Sequence, residues 1–142
     1  MIDAGDPAVL ISHWQGFYGL HDNDRRGFNA FKTVVRRLEE RDPRGEYTRW
    51  RKCSEITNYA CAREMAEVAV EGNRVRLDLP VQVDEFTLRL RGVDVKGVAV
   101  DGVPLERVGS RAGFEDGTFL CEGDGTFVAF TPQGRYVVVE VD

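Results

Sequence analysis

Arg74-Val75-Arg76-Leu77-Asp78-Leu79 alternates charged and apolar side chains with a period of two, and Phe86-Thr87-Leu88-Arg89-Leu90-Arg91 repeats the pattern. A strand sends successive side chains to opposite faces, so this pattern predicts strands with one face buried and one in water. Val93–Val100, Thr118–Cys121, Thr126–Phe130 and Arg135–Val141 alternate less strictly. Glu71-Gly72-Asn73, Asp101-Gly102, Gly123-Asp124-Gly125 and Pro132-Gln133-Gly134 separate them with turn chemistry. About eight short strands with turns this regular predict a small antiparallel β-sandwich over residues 67–142.

Upstream of Ala66 the period is different. Phe28, Phe31, Val34, Val35 and Leu38 recur at helical spacing, with Arg36, Arg37, Glu39 and Glu40 facing away. The reading is a helix over about Phe28–Arg41, capped by Asp22, Asn23 or Asp24 and stopped by Asp42-Pro43-Arg44-Gly45. A second helix is expected over about Glu55–Ala66, with Ser54 as its cap and Ile56, Tyr59, Ala60 and Arg63 on one side. Ahead of both, Val9–Ser12 reads as a short buried strand that runs into His13-Trp14-Gln15-Gly16-Phe17-Tyr18. The fold class is therefore α+β: a strand-helix-helix segment over residues 1–66 and a β-sandwich over residues 67–142.

The bulk composition narrows the function classes. With 42% hydrophobic and 30% charged residues in 142, the chain has globular composition and room for a real core. No apolar run approaches the roughly 20 residues of a membrane span, and Met1–Pro7 lacks the basic head and apolar stretch of a signal peptide. The net charge of −5 argues against nucleic acid as a partner. Residues 1–66 hold 11 basic and 10 acidic side chains, and residues 67–142 hold 8 and 14, so the charge shifts where the period does. Cys53, Cys61 and Cys121 are too few and too irregularly spaced for a disulfide framework, a zinc knuckle or a redox pair.

The first half carries an imbalance. Burying Phe28, Phe31, Val34 and Leu38 is worth about 1.5–3 kcal/mol each, but only against a partner surface. One short strand and two amphipathic helices do not supply one. The partner is then the β domain, a missing N-terminal βα region, or a second copy of the chain.

Ile11-Ser12-His13-Trp14-Gln15-Gly16-Phe17-Tyr18, the helix with Val34-Val35-Arg36-Arg37-Leu38, and Trp50-Arg51-Lys52-Cys53-Ser54-Glu55-Ile56 together resemble the C-terminal end of a polysaccharide-deacetylase-like (carbohydrate esterase) domain. The resemblance covers about residues 8–66. It implies that the first half is a remnant of a distorted βα barrel, followed by an appended sandwich module. It also implies a divalent metal, usually zinc, held in the intact parent by an Asp and a His-x-x-x-His pair, with a second Asp as base. His13 matches the late strand-end histidine that acts as general acid in that family. The chain departs from the pattern elsewhere: its histidines are His13 and His21, eight apart, and the paired-aspartate strand is missing. The resemblance thus implies a catalytically incomplete portion that holds no cofactor of its own.

Several side chains carry both a chemical and an ordinary reading. His13 titrates near neutrality and can protonate a leaving group, or it can simply bond a backbone carbonyl. Trp14, Phe17, Tyr18 and Trp50 offer ring faces on which a sugar can stack, or they pack a rim. His21, Asp22 and Asp24 can ligate a metal or cap a helix. Glu115, Asp116, Glu122 and Asp124 surround a glycine-rich turn, which suits calcium or an ordinary hairpin. The arginines between Arg25 and Arg51 can grip a polyanion or form a solvated face. No glycine pattern fits a dinucleotide. The functional expectation is carbohydrate-related, with a non-catalytic glycan- or protein-binding sandwich module as the alternative.

Overall fold

The computed structural model describes residues 17–18 and 25–142. Its contacts divide the chain into two units, Met1–Trp50 and Arg51–Asp142. The expected strand Val9–Ser12 lies outside the described residues.

In the first unit Phe17 and Tyr18 are helical, and α1 spans Arg26–Arg41. The apolar stripe read from the sequence sets its length, yet α1 has no buried residue. The residue at its cap position is Arg25, which makes no side-chain cap bond, so the expected aspartate or asparagine cap is not what begins this helix. Its end follows the sequence: the Asp42 N–H donates to the Leu38 carbonyl at 2.8 Å, and Pro43 cannot continue the ladder.

The second unit opens with α2, Cys53–Met65. It begins two residues before the expected start, so Ser54 lies inside the first turn. The Glu55 carboxylate reaches back to accept the Lys52 N–H at 3.1 Å, which satisfies one of the donors a helix start leaves over. Its buried face also differs from the expected one. Ala62 is fully buried and the Tyr59 ring lies 5.8 Å from Phe86, while Ala60 and Arg63 are exposed. Ala62 belongs to the same buried cluster as the strand residues, so the helix packs against the sandwich core.

Nine strands follow: β1 (Glu67–Glu71), β2 (Arg74–Asp78), β3 (Phe86–Arg91), β4 (Val98–Val100), β5 (Val103–Pro104), β6 (Glu106–Val108), β7 (Thr118–Glu122), β8 (Gly125–Phe130) and β9 (Tyr136–Val141). They form a five-stranded sheet in the order β1-β2-β9-β4-β5 and a four-stranded sheet in the order β3-β8-β7-β6. The alternation read from the sequence fixes the register. Leu77 stands opposite Val137 and Val75 opposite Val139, all buried, while Arg76 and Arg74 on the other face stand opposite Val138 and Glu140. Val75, Leu77, Val98, Val100, Val137 and Val139 of one sheet share a core with Phe86, Leu90, Phe119, Val128 and Phe130 of the other. The fold is α+β, with a small β-sandwich in the second unit.

Three local features depart from the sequence reading. The stretch Val93–Val100 is strand only from Val98; Val95 is still buried, but the Lys96 N–H donates to the Asp142 carbonyl at 2.7 Å. The β6–β7 pair is parallel, so the four-stranded sheet is mixed. A two-residue turn joins only antiparallel neighbours; residues 109–117, with a 3-10 turn at Arg111–Gly113, carry the chain back to start β7 beside β6. Finally, the change of sequence period after Ala66 does not coincide with the division of contacts at Trp50, because α2 packs with the strands.

The Asp101-Gly102 turn behaves as its composition requires. Asp101 has φ 50° and Gly102 φ 79°, the two left-handed residues of a tight hairpin between β4 and β5. The Asp101 carboxylate accepts the Val138 N–H at 2.8 Å, and its own N–H donates to the Val138 carbonyl at 2.8 Å. The hairpin tip is thereby tied to β9.

Candidate functional site

The first unit gathers aromatic rings. Phe28 and Phe31 stand three apart on α1 and so share a face. Phe17 meets both, at 5.7 and 5.6 Å between ring centroids, and Tyr18 stacks on Phe28 at 6.1 Å. Trp50 reaches Phe31 at 6.3 Å, edge to face. These separations lie in the range where ring pairs attract beyond simple burial.

Trp50 has to travel to join the cluster. Phe31 stands ten residues before the end of α1, roughly 15 Å along its axis. Asp42 makes the reversal. Its carboxylate accepts the backbone N–H groups of Glu46, Tyr47 and Thr48 at 2.9, 2.8 and 2.7 Å. Desolvation pushes its pKa up, but these backbone donors outweigh that and hold it below the ordinary carboxylate value. The chain leaves this bracket pointed back along the helix.

Of the residues expected to contact a saccharide, Phe17, Tyr18 and Trp50 are thus brought together. Trp14, and the expected general acid His13, lie outside the described residues, as do His21, Asp22 and Asp24. The cluster also holds Phe28 and Phe31, which the sequence reading gave only a packing role. Phe17, Phe28 and Phe31 form its half-buried floor, and Tyr18 and Trp50 are 40% and 63% exposed. The spacing of three between Phe28 and Phe31 was the available signal, since it puts two ring faces side by side. Lys32 adds a charge: its ammonium stands 5.7 Å from the Phe28 ring centroid.

No family model, no curated protein and no solved structure matches the chain.

The second unit carries its own ring-and-charge cluster, on the outer face of the four-stranded sheet. The Arg89 and Arg111 guanidinium groups stand 5.1 and 5.5 Å from the Phe127 centroid, and Phe114 meets that ring edge to face at 6.4 Å. Arg111 Nε donates to both oxygens of Glu122, at 3.1 and 2.9 Å, and Arg89 pairs with Asp124 at 2.6 Å. The hydrogen bond from Arg111 holds the Glu122 carboxyl below its ordinary value, against a smaller opposing effect of burial. Two of the four acids that suggested calcium are therefore occupied by arginines. Among the described residues no group of three or more His, Cys, Asp or Glu is arranged to hold a metal ion. The cysteines are free thiols: Cys53 and Cys61 are exposed, and half-buried Cys121 lies 3.9 Å from the Val95 carbonyl.

Proposed function

We propose that this chain is the saccharide-contacting C-terminal portion of a polysaccharide-deacetylase-like protein, and that by itself it binds carbohydrate without hydrolysing it. The observation that carries this reading is the ring shelf of the first unit. Its inner rings are held by one another, and Tyr18 and Trp50 leave part of their surfaces to solvent. Flat apolar faces with polar tips are the surfaces on which sugar rings stack.

The donor set of the chain does not fit the metal that the family implies. It has two histidines, eight apart, and so no His-x-x-x-His. No hydrolytic step is assigned to this chain for that reason. His13 keeps the role of general acid for an intact parent, where the base and ligands come from other residues.

Tryptophan fluorescence during titration with chito-, cello- and uronate-type oligosaccharides tests the reading. Quenching or a shift that saturates, and that Trp50→Ala and Tyr18→Ala abolish, is the expected result. No binding to any member of the panel overturns it. Deacetylation of chito-oligosaccharides by this chain with added zinc, lost in His13→Ala, overturns the view that it is catalytically incomplete.

A further inference from the structure

We infer that the ring shelf selects carboxylate-bearing saccharides over neutral ones, and disfavours amine-bearing ones. This inference rests on the saccharide reading of the shelf. It comes from the charges around the rings. Arg25 precedes α1, and Arg26, Lys32, Arg36 and Arg37 lie within it, while the first carboxylate inside α1 is Glu39. The rings sit at this end of α1: Phe28 and Phe31 belong to it, and Phe17 and Tyr18 pack on Phe28. Even with Asp22 and Asp24 counted, residues 17–38 hold five basic and two acidic side chains.

Three of the four acids further along the unit, all but Glu39, have partners. Glu40 faces Arg36 at 3.6 Å, Glu46 faces Arg44 at 3.1 Å, and Asp42 is surrounded by three backbone donors. Lys32 has no ion pair among the described residues, and its ammonium lies over Phe28, the ring on which Tyr18 stacks. A sugar carboxylate held at the shelf therefore comes within reach of an ammonium whose charge is not spent on a side-chain acid. An amino sugar meets the opposite situation. The cation–π attraction that an aromatic face offers is already taken up at Phe28 by Lys32, and the like charge repels. All of these groups are near solvent, so the preference decays over a Debye length of about 8–10 Å and weakens with salt.

The full chain is titrated, by tryptophan fluorescence, with an oligogalacturonate, an N-acetylated chito-oligosaccharide and its deacetylated form, all of equal length. Affinity falls in that order at low salt. The uronate exceeds the neutral oligomer by at least about threefold, the scale expected of one or two exposed charge contacts, and the gap closes at high salt. Lys32→Glu, a surface change whose effect on folding is checked by circular dichroism, removes the uronate advantage, read as the ratio of uronate to neutral affinity in the same variant. Equal binding of uronate and neutral oligomers, or a Lys32→Glu variant with unchanged preference, overturns this inference and leaves the saccharide reading standing. Failure of all three oligomers to bind overturns both.

Discussion

Asp78 and Arg135 show what a single residue pair adds to this protein. Arg135 donates to both Asp78 oxygens, at 2.5 and 2.9 Å, and this hydrogen bond holds the Asp78 carboxyl below its ordinary value. Burial opposes the shift, and the arginine's charge supports it. Glu122 is lowered in the same way by Arg111. The sign of the pH effect follows. In the unfolded chain these carboxyls take up protons at ordinary carboxylate pH, whereas in the folded chain they do so only at lower pH. Their contribution is complete above the ordinary range and is lost as pH falls through it towards the lowered values. Urea midpoints measured against pH should therefore decline on the acid side, and Arg135→Gln should make that decline shallower. An identical acid slope in the variant would show that the pair is not linked to folding.

At the scale of elements, α1 is the least secured part of the described fold. It has a pronounced apolar stripe, no buried residue, no side-chain cap and no acid in its first turn, although Arg41 suits its last turn. Replacing Arg25 with serine supplies the missing acceptor at the cap position. The expected gain is about 0.5–2 kcal/mol of helix stability, read as slower amide exchange through α1. Unchanged exchange would place the helix start elsewhere than Arg26.

Elements also show what the sequence makes legible. Strict alternation predicts β2 and β3, because a sheet with one wet face demands it. Asp101-Gly102 predicts a tight hairpin, because few residues accept two successive positive φ values. The α1 stripe predicts its helix to within two residues at the start. The parallel β6–β7 pair was not readable, since alternation says which face a side chain takes and nothing of strand direction. The working face of α2 was read in part: Tyr59 does meet the core, but Ala62 was passed over, because a buried alanine contributes little to an apolar pattern. The ring shelf was half visible. Phe17, Tyr18 and Trp50 stood out as aromatic residues, but their meeting follows the Asp42 bracket, whose backbone partners Glu46, Tyr47 and Thr48 can be any residue type and so leave no mark in the sequence.

For the whole molecule, the division of the chain is a physical question that truncation answers. A chain beginning at Arg51 keeps α2, the Tyr59–Phe86 contact and the Arg51–Glu85 ion pair. A chain beginning at Glu67 loses all three and uncovers the core beside Ala62. The longer piece should unfold as cooperatively as the second unit does in the intact protein. The shorter should melt lower, with a loss on the order of the 2–5 kcal/mol that removing well-packed core contacts costs. Equal stability of the two pieces would return the boundary to Ala66. The sandwich also has an uncovered margin: Val68 and Val70 of edge strand β1 lie on the same face as buried Leu77 and Val75, yet are 57% and 70% exposed.

The strand order has a consequence for how the protein is made. β9 is the last strand in the sequence, and it sits in the middle of the five-stranded sheet, between β2 and β4. On a ribosome β1 and β2 emerge first and can pair as a hairpin, but neither can reach β4 without β9 between them. The larger sheet therefore stays in two pieces, with the facing edges of β2 and β4 unpaired, until residues 136–141 have cleared the exit tunnel. Closure is a late, long-range event, of the kind that folds slowly and leaves strand edges exposed while it waits. A stalled or prematurely ended chain that stops before Tyr136 would present those edges permanently, making it a natural client for chaperones or proteases.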